Sequence, residues 1–138
     1  MTVNYKKIRD RIQTLWPKCK NVWLSDPKYS YPTIEQVKNV ISNDHTERLK
    51  MRGYKFDCDD FSLQLSAAVS RYVGQSDSEA PWPFGQVKGH TFQHLVFNTA
   101  HNCNICLLED RILIIEPQTD AIYDAHSQKD KVYYVAMP

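Results

Sequence analysis

Near the start of the chain, Ile8, Ile12, Leu15 and Trp16 recur at intervals of three and four, and Pro17 stops the pattern. That spacing puts them on one face of a helix. From Cys19 to Pro32 no period holds, and Asp26-Pro27 and Tyr31-Pro32 read as turns, so this stretch is predicted to be loop. Thr33-Ile34-Glu35-Gln36 has the form of a capping box, with a second helix running on through Val37 and Ile41. Residues 42–56 are charged and include Gly53, which predicts a loop or a short helical turn. Phe61, Leu65, Ala68, Val69 and Tyr72 then keep one apolar face to Gly74 and predict a third, central helix. After a polar loop to Pro83 the period shortens to two. Strands are predicted over 84–88, 91–98, 101–108, 111–116, 121–123 and 131–136. Helices first and strands after is the α+β order. The expected arrangement is a single domain over 1–138, its N-terminal helices, including the central one, packed on a C-terminal antiparallel sheet.

Composition narrows the function classes. A chain of 138 residues with net charge +1 and dispersed charges has no basic stripe for nucleic acid and no acidic tail. The start, Met1-Thr2-Val3-Asn4-Tyr5-Lys6-Lys7, lacks the apolar core of a signal peptide. No run of apolar residues reaches a membrane span, so a cytoplasmic protein without membrane partners is expected. Four cysteines without a leader read as reduced thiols. Cys103-x-x-Cys106 lies in a strand-like run, and residues three apart on a strand face opposite sides. The pair is therefore not expected to hold a metal or close a disulfide, and no metal or cofactor is expected.

One cysteine stands elsewhere. Cys58, in Phe56-Asp57-Cys58-Asp59-Asp60-Phe61, opens the central helix. There the unpaired N–H groups and the helix dipole favour a thiolate, the nucleophilic form. Asp57, Asp59 and Asp60 oppose this by their charge, although Asp is also a favoured cap. His101 and Glu116 supply a base and a residue to orient it. If Glu109 and Asp110 are the turn residues of a hairpin, Cys103 lies opposite Glu116 and His101 opposite Gln118. His101 and Glu116 are then diagonal neighbours on one sheet face. His94 is the rival base, while His45, His90 and His126 read as surface residues. Gln118, Asn104 and Trp82 are weaker candidates for substrate contact or for support of the triad. The Cys58 N–H is a natural oxyanion donor, and Tyr54 and the Trp23 indole are candidates for a second.

These blocks resemble small papain-like proteins of phages and bacteria, related to the C-terminal protease domain of a mushroom agglutinin from Marasmius. The resemblance rests on Asp57-Cys58-Asp59-Asp60-Phe61, His101-Asn102-Cys103-Asn104 and Glu116-Pro117-Gln118-Thr119, in that order. Asn102 departs from the small residue expected after the histidine. The resemblance implies a papain-like fold, with Cys58 as nucleophile, His101 as base and Glu116 as its orienter. The expected function is a cysteine hydrolase (thiol protease) cleaving an amide, most simply a peptide bond, with a peptide or protein as partner. Two alternatives stay open: a transglutaminase-type acyltransferase or cell-wall peptide amidase on the same scaffold, and a catalytically inactive binding or virion module.

Overall fold

The structure is a computed structural model that describes residues 1–92, 95–126 and 130–138, and side chains within 1–90, 100–126 and 130–138. In chain order the elements are β1 (Thr2–Asn4), α1 (Tyr5–Leu15), β2 (Asn21–Leu24), β3 (Lys28–Ser30), α2 (Ile34–Asn43), a 3-10 turn (Thr46–Arg48) and α3 (Cys58–Gly74). There follow β4 (Phe84–Phe92), β5 (Leu95–Leu107), β6 (Ile112–Glu116), β7 (Ala121–Asp124) and β8 (Val132–Met137). The helices form where the apolar spacing placed them. Asn4 caps α1 by accepting from the Lys6 N–H at 2.8 Å. In α2 both halves of the capping box are made: Thr33 Oγ1 accepts from the Gln36 N–H at 3.1 Å, and Gln36 Oε1 from the Thr33 N–H at 2.8 Å.

The papain-like α+β arrangement, with helices gathered first on a purely antiparallel sheet, is corrected. The chain is a mixed α/β fold around a six-stranded sheet in the order β2-β8-β4-β5-β6-β7. Its N-terminal half contributes strands, not only helices. β2 arises inside the stretch expected to be loop and pairs parallel with β8, Val22 opposite Val135. β1 and β3 form a separate antiparallel pair. Val22 gives the physical reason: it is buried, whereas Trp23 beside it is two-thirds exposed, a short alternation that turn residues on either side obscure in the sequence. The strand expected over 91–98 is also corrected, because it straddles the end of β4 and the start of β5.

Both faces of the sheet are covered. Ile8 and Ile12 of α1, with Trp16 at its C-cap, pack with Val87, Ile105, Ile114 and Val135. Val37 and Ile41 of α2, with Leu65 and Val69 of α3, pack with Phe84, Cys106, Leu113 and Ile115. β6 shows the consequence in its composition: Ile112-Leu113-Ile114-Ile115 is continuously apolar and every residue of the strand is buried. A strand covered on both sides reads that way, whereas a half-exposed strand alternates. Cys103 and Cys106 fall in the two different cores, as their spacing requires.

β6 ends in a turn that carries Glu116. The Thr119 and Asp120 N–H groups both donate to the Glu116 carbonyl, at 3.2 and 2.9 Å, and Asp120 has φ +62°. Asn is more at ease than most residues in that left-handed region. The Asp120 carboxyl is pushed up to about 6, first by desolvation, then by the charges of Glu47 and Asp44 and a hydrogen bond with Glu47; His45 opposes this. An unfolded Asp titrates near about 3.9, so between about pH 4 and pH 6 the folded chain binds more protons than the unfolded one. Stability from this group is present at low pH and lost as pH rises to about 6. Asp120→Asn is expected to raise the melting temperature at pH 7 and to flatten its fall between pH 4 and 7. Parallel melting curves against pH for the two proteins would show that Asp120 does not carry this dependence.

Candidate active site

The hairpin register holds. Asn104 pairs with Ile115, Ile105 with Ile114, Cys106 with Leu113 and Leu107 with Ile112. The Leu108 N–H closes the turn on the Arg111 carbonyl at 2.8 Å, across Glu109-Asp110. His101 and Glu116 consequently meet: Nε2 lies 2.7 Å from Oε2, with the two side chains 12 % and 10 % exposed. Glu116 is further fixed by its neighbours. Oε1 accepts from the Gln118 N–H at 3.2 Å, and Oε2 from the Cys103 thiol at 3.6 Å. A carboxylate held by three donors has one orientation, and it imposes one on the ring it touches. Glu116 engages the ring through Nε2.

Cys58 is the first residue of α3 and is partly exposed. The first helical bond runs from the Phe61 N–H to the Asp57 carbonyl at 3.1 Å, so the Cys58 N–H stands outside the ladder. One turn further on, α3 is clamped to the sheet. Ser62 Oγ donates to the Cys103 carbonyl at 2.8 Å, and Asn104 Nδ2 donates to the Ser62 carbonyl, Ser66 Oγ and the Gly85 carbonyl at 2.9, 3.0 and 3.0 Å. These contacts set the start of α3 beside the His101–Cys103 stretch of β5. Cys58 lies close enough that a thiolate there would oppose ionisation of Cys103 and Tyr134.

The acidic flank is partly disarmed. Asp60 Oδ2 accepts from the Asp57 N–H at 3.0 Å, a cap at the helix start. The Asp57 carboxyl is held above the usual range, first by a hydrogen bond with Asp59, then by desolvation and the charges of Asp59 and Asp60. The other three thiols are buried. Burial pushes Cys19, Cys103 and Cys106 up, with the Glu116 charge adding to Cys103.

The weaker candidates separate. Asn104 ties α3 to β4 and β5 and does not face a substrate. Gln118 contributes its backbone N–H to Glu116. Trp82 is buried against Tyr72, ring centroids 5.7 Å apart, and covers the core of α2 and α3. Tyr54 is fully exposed. His90 pairs with the Tyr133 hydroxyl, and His94 lies outside the described residues. Sequence reasoning missed Gln86, whose amide donates to the Asp59 carbonyl at 3.4 Å, and Tyr134, whose hydroxyl donates to Asn102 Oδ1 at 3.0 Å. Lys88 pairs with both Asn102 and Tyr134, so the two lie on one face across β4. Asn102, out of place in a sequence pattern that wants a small residue, is thereby satisfied.

Two groups of donor atoms lie within 4.8 Å of one another among the described residues: His101, Cys103 and Glu116, and Asp57, Asp59 and Asp60. No helix among the described residues is long and apolar enough to cross a membrane.

No protein-family model and no curated protein matches the chain. Solved structures do. One, described as a PSL1a–E64 complex, matches with TM-score 0.81 and 18% identity over 99% of this chain and 50% of that one. A second, with TM-score 0.78 and 19% identity over 99% of this chain and 49% of that one, is Polyporus squamosus lectin bound to the human-type influenza-binding epitope Neu5Aca2-6Galb1-4GlcNAc. The expected kinship with the protease domain of the Marasmius agglutinin is corrected by these neighbours. The papain-like cysteine hydrolase cleaving a peptide is set aside with it, since the partner named for the second neighbour is a glycan. The chain spans about half the length of the chains it matches, and at this identity the likeness is one of fold.

Proposed function

We propose that the chain is a thiol enzyme in which Cys58 forms a covalent bond to an electrophilic carbon of its substrate. His101 moves the proton through Nδ1, and Glu116 holds the ring and stabilises its protonated form. The observation that carries this reading is the His101–Glu116 contact of 2.7 Å, built on a rigid sheet beside the start of α3. A salt bridge kept only for stability has no need of a thiol at a helix start one layer away. The Cys58 N–H is one donor for a developing oxyanion. The test is alkylation of the native protein by iodoacetamide, read by intact mass. Fast single labelling that disappears in Cys58→Ala supports the reading; labelling no faster than a free thiol in the same buffer overturns it.

A second reading, glycan binding, is supported by the ligand named for the lectin and by one feature of this surface. Trp23 is 67% exposed and borders a cavity of about 370 Å³ together with Ser25, Ser70 and Gln86. An exposed indole offers a flat apolar face to a sugar ring, and short polar side chains offer hydrogen bonds. Titration with Neu5Aca2-6Galb1-4GlcNAc is expected to quench tryptophan fluorescence, and Trp23→Ala to lower the affinity by at least about tenfold, in the range of one stacked aromatic. Equal binding by both proteins, or none by either, would remove this surface from consideration.

A further inference from the structure

We propose that His101, Cys103 and Glu116 form a three-donor site for a thiophilic divalent cation of the zinc class. The site goes beyond the thiol-enzyme reading and does not rest on it. It stands on Cys103, a buried thiol that the chemistry of Cys58 does not use. An imidazole nitrogen, a thiol sulfur and a carboxylate oxygen are the donor set that zinc and cobalt accept and that magnesium and calcium do not. The three ligand atoms lie within 4.8 Å of one another. Glu116 Oε2 is 2.7 Å from His101 Nε2 and 3.6 Å from Cys103 Sγ. Around tetrahedral zinc, with bonds of about 2.0 to 2.3 Å, donors stand roughly 3.3 to 3.7 Å apart, so small side-chain rotations suffice.

The backbone keeps the donors in place. His101 and Cys103 are two residues apart on β5 and share a face, and β6 presents Glu116 beside them. A site on paired strands is held more firmly than one on loops. The Gln118 N–H engages Oε1 and leaves Oε2 to face the other two donors. Cys103 and Glu116 are buried while His101 keeps a little exposure, so an ion has protein on one side and an approach on the other. A thiol pointed at a carboxylate oxygen that already serves the imidazole gains little as a hydrogen bond. As a ligand it would complete the set. On binding, the thiol proton leaves to solvent, and the ring presents the Nε2 lone pair with its proton on Nδ1.

The test uses the full chain carrying Cys58→Ala, in which no result depends on the nucleophile. Cobalt is titrated in, followed by zinc as competitor. The expected result is one ion per chain, with a near-ultraviolet thiolate-to-cobalt band that zinc abolishes. Cys103→Ala in the same background should lose the band and bind zinc more than about 100-fold more weakly, beyond the loss seen when only an outer partner is removed. If Cys103→Ala does not fold, His101→Gln is the second variant: it keeps the thiol and should weaken binding to a similar degree. Absence of saturable binding in Cys58→Ala, a cobalt spectrum without the thiolate band, or full affinity in the Cys103 or His101 variant would each overturn the site.

Discussion

Gly85→Ala is expected to destabilise the fold by about 2–3 kcal/mol, the upper range for forcing a methyl into a packed interior. A Cβ on Gly85 would stand 2.1 Å from the Ala136 carbonyl oxygen and 2.9 Å from both the Ala136 carbonyl carbon and Met137 Cα. All three are backbone atoms, so no rotamer change relieves the contact. β8 must move, and it is bonded on its two sides to β4 and β2. The Gly85 carbonyl also accepts from Asn104 Nδ2 at 3.0 Å, so the displacement reaches the clamp on α3. A strand glycine that permits close backbone approach is a familiar device, and the intrinsic preference of a strand for Ala over Gly should not rescue it. Denaturant unfolding of wild type and variant measures the difference. A variant within about 0.5 kcal/mol, the size of an ordinary surface substitution, would mean the sheet can open here at little cost.

The same glycine shows what was and was not legible in the sequence. Nothing in Phe84-Gly85-Gln86 distinguishes a glycine that admits a neighbouring strand from one that merely bends a chain. Local signals were read well. The capping box at Thr33, the stop at Pro17 and the apolar stripe of α3 each depend on neighbours within a turn or two. The β5–β6 register was legible as well, because a two-residue turn fixes which side chains share a face. The long-range pairings were not legible. β2 is four residues long and takes its stability from a parallel partner more than a hundred positions away, which leaves no periodic trace. The cover on both sheet faces was written in the unbroken apolar run of β6, a signal of burial on two sides that the helix count alone concealed. Within the site, the sequence pairs Cys103 as a ligand only with Cys106, although the hairpin register already sets it opposite Glu116. Its neighbours in space are His101 and Glu116, one on its own strand and one across the ladder.

His101→Ala is expected to slow alkylation of Cys58 at neutral pH by about 10²–10⁴-fold, the usual contribution of a positioned acid–base group. Iodoacetamide reads this without knowledge of the substrate. Cys19, Cys103 and Cys106 are at most 1% exposed, so a single labelling event in the native protein reports Cys58. Burial also pushes those three thiols up, which keeps them slow. Glu116→Gln separates orientation from mere support. Gln has one carbonyl oxygen, which can face the ring or the Gln118 N–H but not both, and it loses the charge that stabilises the protonated imidazole. Labelling should therefore slow by at least about tenfold, as when the partner that orients a reactive imidazole is changed. The amide NH2 then meets either the Cys103 thiol or the Gln118 N–H, so some fall in melting temperature is expected along with the slower reaction. Stability and reactivity must be measured on the same samples. If Glu116 is structural, Glu116→Gln melts earlier and labels at the wild-type rate. If His101 plays no part, His101→Ala labels at that rate too, and the thiol-enzyme reading falls. Slow labelling in both variants, with His101→Ala the slower and both still folded at the assay temperature, is the outcome that a Cys58–His101–Glu116 relay requires.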